Sequence, residues 1–576
     1  ELARLIDLPE VDEALYIASP NLHGAIDRWR AAPDSPAGQR VEQSLVKYVA
    51  RMAGRSTPFG LFSAVSAGRL GAETRLELAP RSEYRRRTRL DNDYLFVLVD
   101  ELSRDPELRA RLRYRPSTSI YRIAGRLRYA AARLDGKERS YNLVSADPTP
   151  YLDATLARAA VRGGALLAAL AAGLVADDPE VTPDEASAYL AELVESQLLV
   201  PELGVFVTGP EPLAGLLGQL AVAAAERPGE QVAAIDGARA ILERAQAALA
   251  AIDDAGLGNP PARYQQIARD LEALPAKVDL SRLFQVDMVK PAAATVGVRV
   301  AADVAQAVAA MLRIARSAED SSLEDFKRAF RERYEEREVP LAEALDEELG
   351  IGFEAARGPG AEGAPLLAGL PFPGGPPSGR TGWGRLEAHM LRRLGAALAA
   401  GQDEIVLAEA DLEAMRVATP GRPAEAFAVM LRLAGDAAQR ERGELEILYE
   451  GTSGPSGARI LGRFCHASAE IDAIVRAHHA AEEALRPDAV FAEIVHLNEG
   501  RIGNILCRPV LRDHEIVFLG VSGAPDEKQI GIEDLVVAVK NDRITLTSRR
   551  LGREVVPRLT TAHNYRLRSL GVYRFL

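Results

Sequence analysis

Hydrophobic and polar positions near the start of the chain predict a helix followed by a structured loop. Apolar residues recur at helical spacing from Ser44 to Met52, which predicts one amphipathic helix. Gly54 ends the pattern, and Arg55-Ser-Thr-Pro-Phe-Gly60 is predicted to be a loop because proline and glycine disfavour helix continuation. Leu61 to Val65 then has the pattern of a buried strand.

Residues 118–203 have the pattern of a hairpin, three helices and a closing strand. Apolar side chains alternate from Ser119 to Val144 around the turn dipeptide Asp135-Gly136. The predicted elements that follow are helices at Tyr151–Ala160, Gly164–Ala172 and Pro183–Ser196, the last capped by Thr182-Pro183-Asp184-Glu185, and a strand at Leu198–Pro201. This is the outline of a winged helix-turn-helix, although the pattern alone fits an ordinary α+β insertion equally well.

The remaining pattern predicts an α+β fold of several subdomains with mixed sheets and Ala-rich helices. Helices are expected at 213–274 and 304–356, with a strand Leu283–Val289 that carries one carboxylate, Asp287. Residues 358–382 are rich in glycine and proline and are predicted to be a long loop. The expected C-terminal strands are Leu445–Tyr449, Ile460–Phe464, Ile505–Leu511, Glu515–Leu519, Val536–Val539 and Ile544–Thr547.

Composition limits the class of protein. The 576 residues suffice for three or four domain-sized units, and the net charge of −12 excludes a general polyanion binder. Residues 81–139 nevertheless contain 16 Lys and Arg against 9 Asp and Glu, a local charge of +7. Two cysteines fit a reducing, cytoplasmic compartment, and the most apolar run, at residues 163–175, is too short to span a bilayer.

Familiar catalytic signatures are absent from the sequence. It contains no phosphate-binding loop of the Walker type, dinucleotide fingerprint, G-x-S-x-G elbow or zincin motif. The pair His478-His479 cannot face one metal ion from a helix, and a solvated helix face is the simpler interpretation. Cys465 beside His466 is interpreted as a buried structural cysteine, because neighbours on a strand point to opposite faces.

Arginines and carboxylates are the remaining candidates for chemistry. Arg51 and Arg55 are four residues apart at a helix end and precede Thr57, an arrangement suited to phosphate or carboxylate recognition, although a surface pair beside a tight turn is the simpler alternative. Arg463 is predicted to lie in an apolar strand, where it either pairs with a buried acid or reaches into a site. Asp91 and Asp287 are the candidate acids of a site. The simpler interpretation is helix capping for Asp91 and a structural ion pair for Asp287.

Several stretches resemble the N-terminal, glutamylation portion of lanthipeptide dehydratases of the LanB type. The most specific is Tyr48-Val-Ala-Arg-Met-Ala-Gly-Arg-Ser-Thr-Pro-Phe-Gly-Leu-Phe62. The supporting stretches, in order along the chain, are Ala14–Pro20, Phe284–Asp287, Arg337–Leu341 with Gly350–Phe353, Ser453–Gly457 with Leu461–Phe464, Gly503-Asn504 with Arg508-Pro509, and Asn564 onward to Tyr573–Leu576.

The resemblance implies transfer of glutamate from glutamyl-tRNA to Ser and Thr side chains of a ribosomally made precursor peptide. A separate elimination domain then leaves dehydroalanine or dehydrobutyrine. Glutamyl-tRNA is a co-substrate and an activated ester, so no cofactor, metal or ATP is expected. The resemblance also implies a core of residues 1–117 and 204–576, with residues 118–203 recognising the leader peptide by strand addition.

Functional residues carry over from the family by position. Arg51, Arg55 and Thr57 match its Arg-x-x-x-Arg-x-Thr, while Asp287 and Arg463 match its catalytic acid and arginine; Asp91 matches less securely because Asp93 is close. The positive stretch is expected to meet tRNA phosphates through Arg81, Arg85, Arg86, Arg87 and Arg89.

Other interpretations stay open at this point. Up to Leu576 no segment resembles the elimination domain, which is expected to be a separate domain or protein. The chain could instead be a relative that ligates amino acids from tRNA onto peptide C-termini, or a peptide-binding protein without catalysis. A homodimer and a partner cyclase are further options.

Overall fold

A computed structural model describes residues 1–135, 138–226, 233–315, 321–354, 383–417, 424–442, 444–497, 503–564 and 570–576. The predicted loop at 358–382 lies outside these residues. The structure is mixed, with helices and six sheets among the described residues, which agrees with the α+β class. No described helix has the length and apolar character needed to cross a bilayer.

The N-terminal part is helical and leads into short strands. Its elements are α1 (Leu2–Ile6), α2 (Pro9–Ala18), α3 (Pro20–His23), α4 (Ile26–Ala31), α5 (Pro36–Gly54), β1 (Arg69–Gly71), β2 (Arg75–Leu78), β3 (Arg85–Leu90), α6 (Asn92–Leu102), α7 (Pro106–Arg109) and β4 (Arg113–Pro116). The predicted helix at Ser44–Met52 is confirmed as part of α5. That helix begins because the Ser35 hydroxyl accepts a bond from the Gly38 N–H (3.0 Å) and Pro36 occupies its first turn.

The segment at residues 118–203 contains the predicted hairpin and three helices. Its elements are β5 (Tyr121–Ile123), β6 (Arg126–Asp135), β7 (Glu138–Ala146), α8 (Pro150–Ala159), β8 (Ala165–Leu166), α9 (Leu167–Asp177), α10 (Pro183–Glu195) and β9 (Leu199–Pro201). Strands β5, β6 and β7 form one antiparallel sheet in that order, and β4 pairs with β8 and β9. The predicted capping box of α10 is confirmed by reciprocal bonds between Thr182 and Glu185.

The middle of the chain supplies a strand that pairs with the N-terminal part. Its elements are α11 (Pro212–Ala225), α12 (Ala233–Asp254), α13 (Pro261–Leu271), β10 (Phe284–Val289), β11 (Ala292–Gly297), α14 (Val298–Ile314), α15 (Ser321–Tyr334), β12 (Val339–Pro340), α16 (Leu341–Leu345), α17 (Arg385–Ala399) and α18 (Glu409–Met415). Strand β10 runs antiparallel to β3, so that Asp287 lies opposite Arg87. This pairing brings together two segments separated by almost 200 residues.

The C-terminal part is built on a mixed sheet. Its elements are β13 (Ala428–Ala434), α19 (Ala437–Arg442), β14 (Glu446–Ser453), α20 (Ala469–Ala484), β15 (Val490–Val495), α21 (Gly503–Leu506), β16 (His514–Val517), β17 (Gln529–Gly531), β18 (Leu535–Lys540), β19 (Arg543–Ser548), β20 (Arg553–Arg558) and α22 (Gly571–Phe575). Seven strands pair in the order β12-β18-β19-β20-β15-β16-β17. Strand β15 is buried along its whole length and pairs in parallel with β16 and β20.

Three predicted strands are wrong. Residues 61–65 form a turn with isolated bridges, because Gly60 adopts a positive φ of 51° and reverses the chain. Residues 462–464 form a 3₁₀ turn instead of part of a strand: Gly462 packs so closely on the Thr560 carbonyl that a Cβ would lie 2.1 Å from its oxygen. Within the predicted strand Ile505–Leu511, the first two residues belong to α21.

Candidate functional site

A buried carboxylate between two arginines lies at the centre of the candidate site. The Asp287 side chain, on β10, is 1% exposed. Arg89 of β3 donates to its Oδ2 at 2.6 Å, and Arg463 donates to its Oδ1 at 2.7 Å. The structure therefore brings the predicted residues Asp287 and Arg463 into direct contact and confirms the ion-pair interpretation of Asp287. Their catalytic role stays a prediction.

Arg463 reaches Asp287 from the 3₁₀ turn at residues 462–464. Its guanidinium lies 4.6 Å from the centre of the Phe464 ring, and its side chain is 16% exposed. The Nε atom is buried and has no hydrogen-bond partner within the described residues. Arg463 thus combines a fixed charge with one unused donor.

A second acid and a histidine adjoin this ion pair, and neither was singled out as a site residue from the sequence. Glu211 accepts two bonds from Arg87, which lies opposite Asp287 in the strand register. Burial alone would raise the pKa of Glu211, but the hydrogen bond and charge of Arg87, helped by the charge of Arg89, lower it below its ordinary value. Glu211 therefore stays ionised at neutral pH.

His466 is neutral and its tautomer is fixed. Burial lowers its pKa, and the positive charges of Arg89 and Arg87 add to that effect. Because the Gly209 carbonyl can only accept, Nε2 of the ring carries the hydrogen and donates to it at 2.9 Å. The Nδ1 atom is then an acceptor, buried and without a partner in the described chain. The only sequence signal that could have pointed to His466 is its position three residues after Arg463.

Arg51 and Arg55 lie at the exposed end of α5. Arg51 is in the last turn, and the N–H of Arg55 donates to the Arg51 carbonyl at 3.1 Å. The Arg51 guanidinium lies 4.4 Å from the centre of the Phe59 ring, and Lys47 lines the same surface depression. Neither arginine has an acidic partner among the residues that the structure describes, so both guanidinium groups are open to an anion.

The loop that carries Thr57 is fixed to the strand that carries Asp287. Thr57 is exposed, and the Ser63 hydroxyl donates to the Ser56 carbonyl at 2.9 Å. Further along, Val65 exchanges backbone bonds with Met288 (3.1 Å) and Lys290 (2.9 Å). The loop therefore continues directly into the strand pair, which links the exposed arginine pair to the buried ion pair.

Asp91 has a structural role in this arrangement. It caps α6 by accepting the Asp93 N–H at 2.8 Å, and its other oxygen accepts from the Asn504 amide at 2.9 Å. Asn504 in turn accepts the Asn92 N–H at 3.1 Å. The helix-capping interpretation of Asp91 is confirmed, and Asn504 is a supporting residue to which only the family resemblance had pointed.

The predicted phosphate-binding surface at Arg81–Arg139 is not one exposed positive surface. Most of its arginines pair with acids elsewhere in the chain: Arg81 with Glu10, Arg86 with Glu13, Arg87 with Glu211, Arg113 with Glu226, Arg115 with Glu202 and Asp526, Arg122 with Asp153, Arg126 with Asp147, and Arg128 with Asp346 and Glu348. Arg86 has a fully buried side chain and Arg89 one that is 9% exposed, so the assignment of these two to tRNA phosphates is corrected. Contacts by Arg81, Arg85 and Arg87 stay predictions.

Other chemistry-bearing side chains are explained by burial. Burial raises the pKa of the Cys465 thiol to about 12, so it is not a thiolate nucleophile at neutral pH. His479 is buried against Leu511 and Thr560, which corrects the prediction that both histidines of the pair are solvated. Within the described ranges no three His, Cys, Asp or Glu side chains are grouped to hold a metal ion.

The chain belongs to a known family. The family model described as "Lantibiotic dehydratase, N terminus" matches residues 7–576, which confirms the resemblance drawn from the motifs. The chain is 26% identical over 353 residues to the subtilin biosynthesis protein SpaB of Bacillus subtilis, an alignment that covers 60% of this chain and 32% of SpaB. It therefore spans well under two thirds of that relative.

Solved structures share the fold. The tRNA-dependent lantibiotic dehydratase MibB from Microbispora sp. 107891 matches with a TM-score of 0.84 and 24% identity, over all of this chain and 54% of MibB. The glutamylation domain TbtB from thiomuracin biosynthesis, bound to 5'-phosphodesmethylglutamycin, matches with a TM-score of 0.65 and 20% identity, over all of this chain and 69% of that one. These likenesses confirm the fold class.

Proposed function

We propose that this chain transfers glutamate from glutamyl-tRNA to Ser and Thr hydroxyl groups of a ribosomally made precursor peptide. The proposal is carried by Arg51 and Arg55, which have no acidic partner among the described residues, in a chain of the dehydratase family. The loop that follows them bonds through Val65 to the strand that carries Asp287, whose carboxylate pairs with Arg89 and Arg463. Free guanidinium groups suit an anionic substrate, since each offers a planar fork of donors to phosphate or carboxylate.

The reaction is an exchange of one ester for another. The peptide hydroxyl attacks the glutamyl carbonyl and loses its proton, the ester bond to the terminal ribose breaks, and the ribose hydroxyl leaves with a proton. No bond energy has to be supplied, because the glutamyl group arrives activated. Positioning and oxyanion stabilisation are then the main tasks, and guanidinium and hydroxyl donors can carry them out.

The proposed partners follow from the same reaction. Glutamyl-tRNA is the co-substrate, the precursor peptide binds through its leader to the unit at residues 118–203, and an elimination domain removes glutamate afterwards. We place these steps in the cytoplasm, where charged tRNA is available. The divisions 1–117, 118–203 and 204–576 are part of this proposal.

The test incubates the purified chain with glutamyl-tRNA and the Ser/Thr-rich peptide encoded beside its gene. We expect peptide mass to rise by one glutamyl residue per modified hydroxyl, and mild alkali to remove the addition because it is an ester. An alkali-stable addition at the C-terminus would indicate the peptide ligase instead. Equal turnover with ATP and free glutamate, without tRNA, would exclude the proposed reaction, and no addition at all would favour a non-catalytic peptide-binding protein.

A further inference from the structure

The exposed face of α5 carries a row of cations that has no acidic partner among the residues that the structure describes. Arg40, Lys47 and Arg51 lie within about 40° of one another around the helix axis, because 3.6 residues make one turn. They extend for about 17 Å along it at 1.5 Å per residue, and Arg55 follows at the C-terminal cap, where the backbone is extended. Arg40, Lys47 and Arg55 are exposed and Arg51 is half-buried. We call these four residues the α5 basic stripe.

The charge of the stripe is not neutralised by the surrounding protein. No ion pair to any of its four cations occurs within the described residues, whereas most arginines of the 81–139 stretch are paired. The one acid of α5, Glu42, lies on the opposite face and accepts from the Trp29 indole N–H at 3.3 Å. The net charge of the chain is −12, so its overall field repels a polyanion. A local row of cations can therefore attract a linear polyanion to this face in particular.

The stripe ends at an exposed aromatic ring. Phe59 is 41% exposed, contacts the Arg51 guanidinium and lies beside Phe62. Aromatic rings and guanidinium planes stack on the bases of unpaired RNA, whereas they offer no particular advantage to a carboxylate-rich polypeptide. Cations in a row followed by a stacking group therefore fit a phosphodiester backbone that ends in a single strand.

We infer that the α5 basic stripe is the docking surface for the single-stranded 3′ end of the glutamyl-tRNA, with Arg40 and Lys47 on backbone phosphates and Phe59 beside a base. This inference rests on the proposed function and locates its nucleic acid. It replaces the buried Arg86 and Arg89 as phosphate contacts, and it directs the glutamyl ester toward Arg51 and Arg55, at the end of the stripe nearest the Asp287 strand.

The experiment measures binding of deacylated tRNA specific for glutamate at several salt concentrations. For Arg40→Gln with Lys47→Gln we expect about tenfold weaker binding and a salt slope smaller by about two. The matched control is Arg4→Gln with Lys277→Gln, which removes the same charge from exposed positions outside the stripe. Unchanged affinity and slope in the stripe variant, or an equal loss in the control, would overturn the inference.

A second measurement separates RNA from an acidic polypeptide and from the proposed function. Phe59→Leu should weaken binding of an RNA hairpin with an unpaired 3′ end more than binding of a blunt hairpin. Equal competition by poly-glutamate that depends on Arg40 and Lys47 but not on Phe59 would overturn the RNA assignment. Glutamyl transfer by the unaltered chain is measured separately. If the unaltered chain transfers glutamate and the stripe variant binds tRNA normally, the assignment of the stripe is wrong and the proposed function stands.

Discussion

At the scale of single residues, partners far apart in the sequence determine which arginines are free. Arg86 is buried because Glu13 and Tyr264, 73 and 178 residues away, meet it inside the protein. Arg55, in contrast, lies at the end of an exposed helix and has no acidic partner in the described chain. Sequence spacing identified the Arg51 and Arg55 pair, but it could not separate exposed from buried arginines at residues 81–89.

Replacing Arg55 by Lys tests the guanidinium itself. The variant keeps the positive charge but loses the planar fork that binds phosphate or carboxylate in two bonds, so we expect glutamyl transfer to fall at least a hundredfold. The melting temperature should not change, because Arg55 is exposed and unpaired among the described residues. Arg69→Lys, at an exposed site on β1, is the control. A wild-type rate of transfer by Arg55→Lys would show that the reaction does not need the Arg55 guanidinium, and that Arg51 and Arg55 are an ordinary surface pair.

Replacing Asp287 by Asn tests the buried ion pair. The amide keeps the size of the carboxylate but leaves Arg89 and Arg463 without a negative partner, which costs about 3 kcal/mol in the free energy of unfolding. We expect transfer to be lost as well, even at temperatures where the variant is folded. Denaturant unfolding and transfer rates are the two measurements.

A matched control for Asp287 is a buried acid away from the site. Glu482 in α20 pairs with Arg512 and Arg558, and its side chain is fully buried. Glu482→Gln should therefore lose comparable stability and retain transfer while folded. Similar loss of transfer in both variants would show that Asp287 acts only through stability.

At the scale of elements, local signals predicted helices better than strands. Helix α10 was predictable because its capping box and Pro183 mark its start within four residues. The segment at Arg463 was predicted as a strand from alternating apolar residues, yet Gly462 packs on the Thr560 carbonyl and folds it into a turn. Such a contact between segments a hundred residues apart leaves no local pattern.

The C-terminal sheet should become less stable as the pH falls. Burial lowers the pKa of His479, His496 and His563 to about 4 each. A nearby arginine adds to this effect at His479 and at His563, while His563 and Arg139 add to it at His496. Between pH 6.5 and 4 the unfolded chain binds protons at these sites and the folded chain does not, so the free energy of unfolding decreases through that range. At pH 5, each of the three histidines lowers the free energy of unfolding by about 2 kcal/mol relative to neutral pH.

The measurement is denaturant unfolding from pH 7.5 to 5. His496→Gln removes one of the three groups and should give a flatter dependence on pH than the unaltered chain, whatever its stability at pH 7.5. His478→Gln, next to His479 but half-buried, serves as the control. An equally steep pH dependence in His496→Gln would contradict the burial argument, since the lost proton uptake would have come from elsewhere.

At the scale of the whole molecule, the segment at residues 118–203 shares its core with the rest of the protein. Its apolar side chains belong to the same buried cluster as those of α6 and α11 to α13. The Tyr141 hydroxyl donates to the Leu497 carbonyl at 2.7 Å, and Arg128 and Tyr121 both bond to Asp346. Removing residues 118–203 would therefore expose core, so leader binding is better tested by a point variant.

The hairpin offers a defined backbone edge for that test. The N–H and carbonyl of Ala132 both bond to Gln197, so Ala132 does not bond its register partner Tyr141. Bonded and non-bonded pairs alternate in an antiparallel ladder, so Ala130 and Leu143 are also a non-bonded pair and the Leu143 N–H points away from β6. Strand β7 is an edge of its sheet among the described residues, so the Leu143 N–H is available to an added strand.

Leu143→Pro is expected to weaken leader binding without abolishing transfer. Proline removes one outward N–H, which an added leader strand would use, and leaves the bonds between β6 and β7 intact. We expect leader affinity to fall about tenfold and transfer to recover at saturating peptide, because the proposed catalytic residues Arg51, Arg55 and Asp287 lie outside the hairpin. Leu143→Ala controls for the lost side chain, and circular dichroism checks the fold. Full leader affinity in a folded Leu143→Pro variant would contradict strand addition at β7.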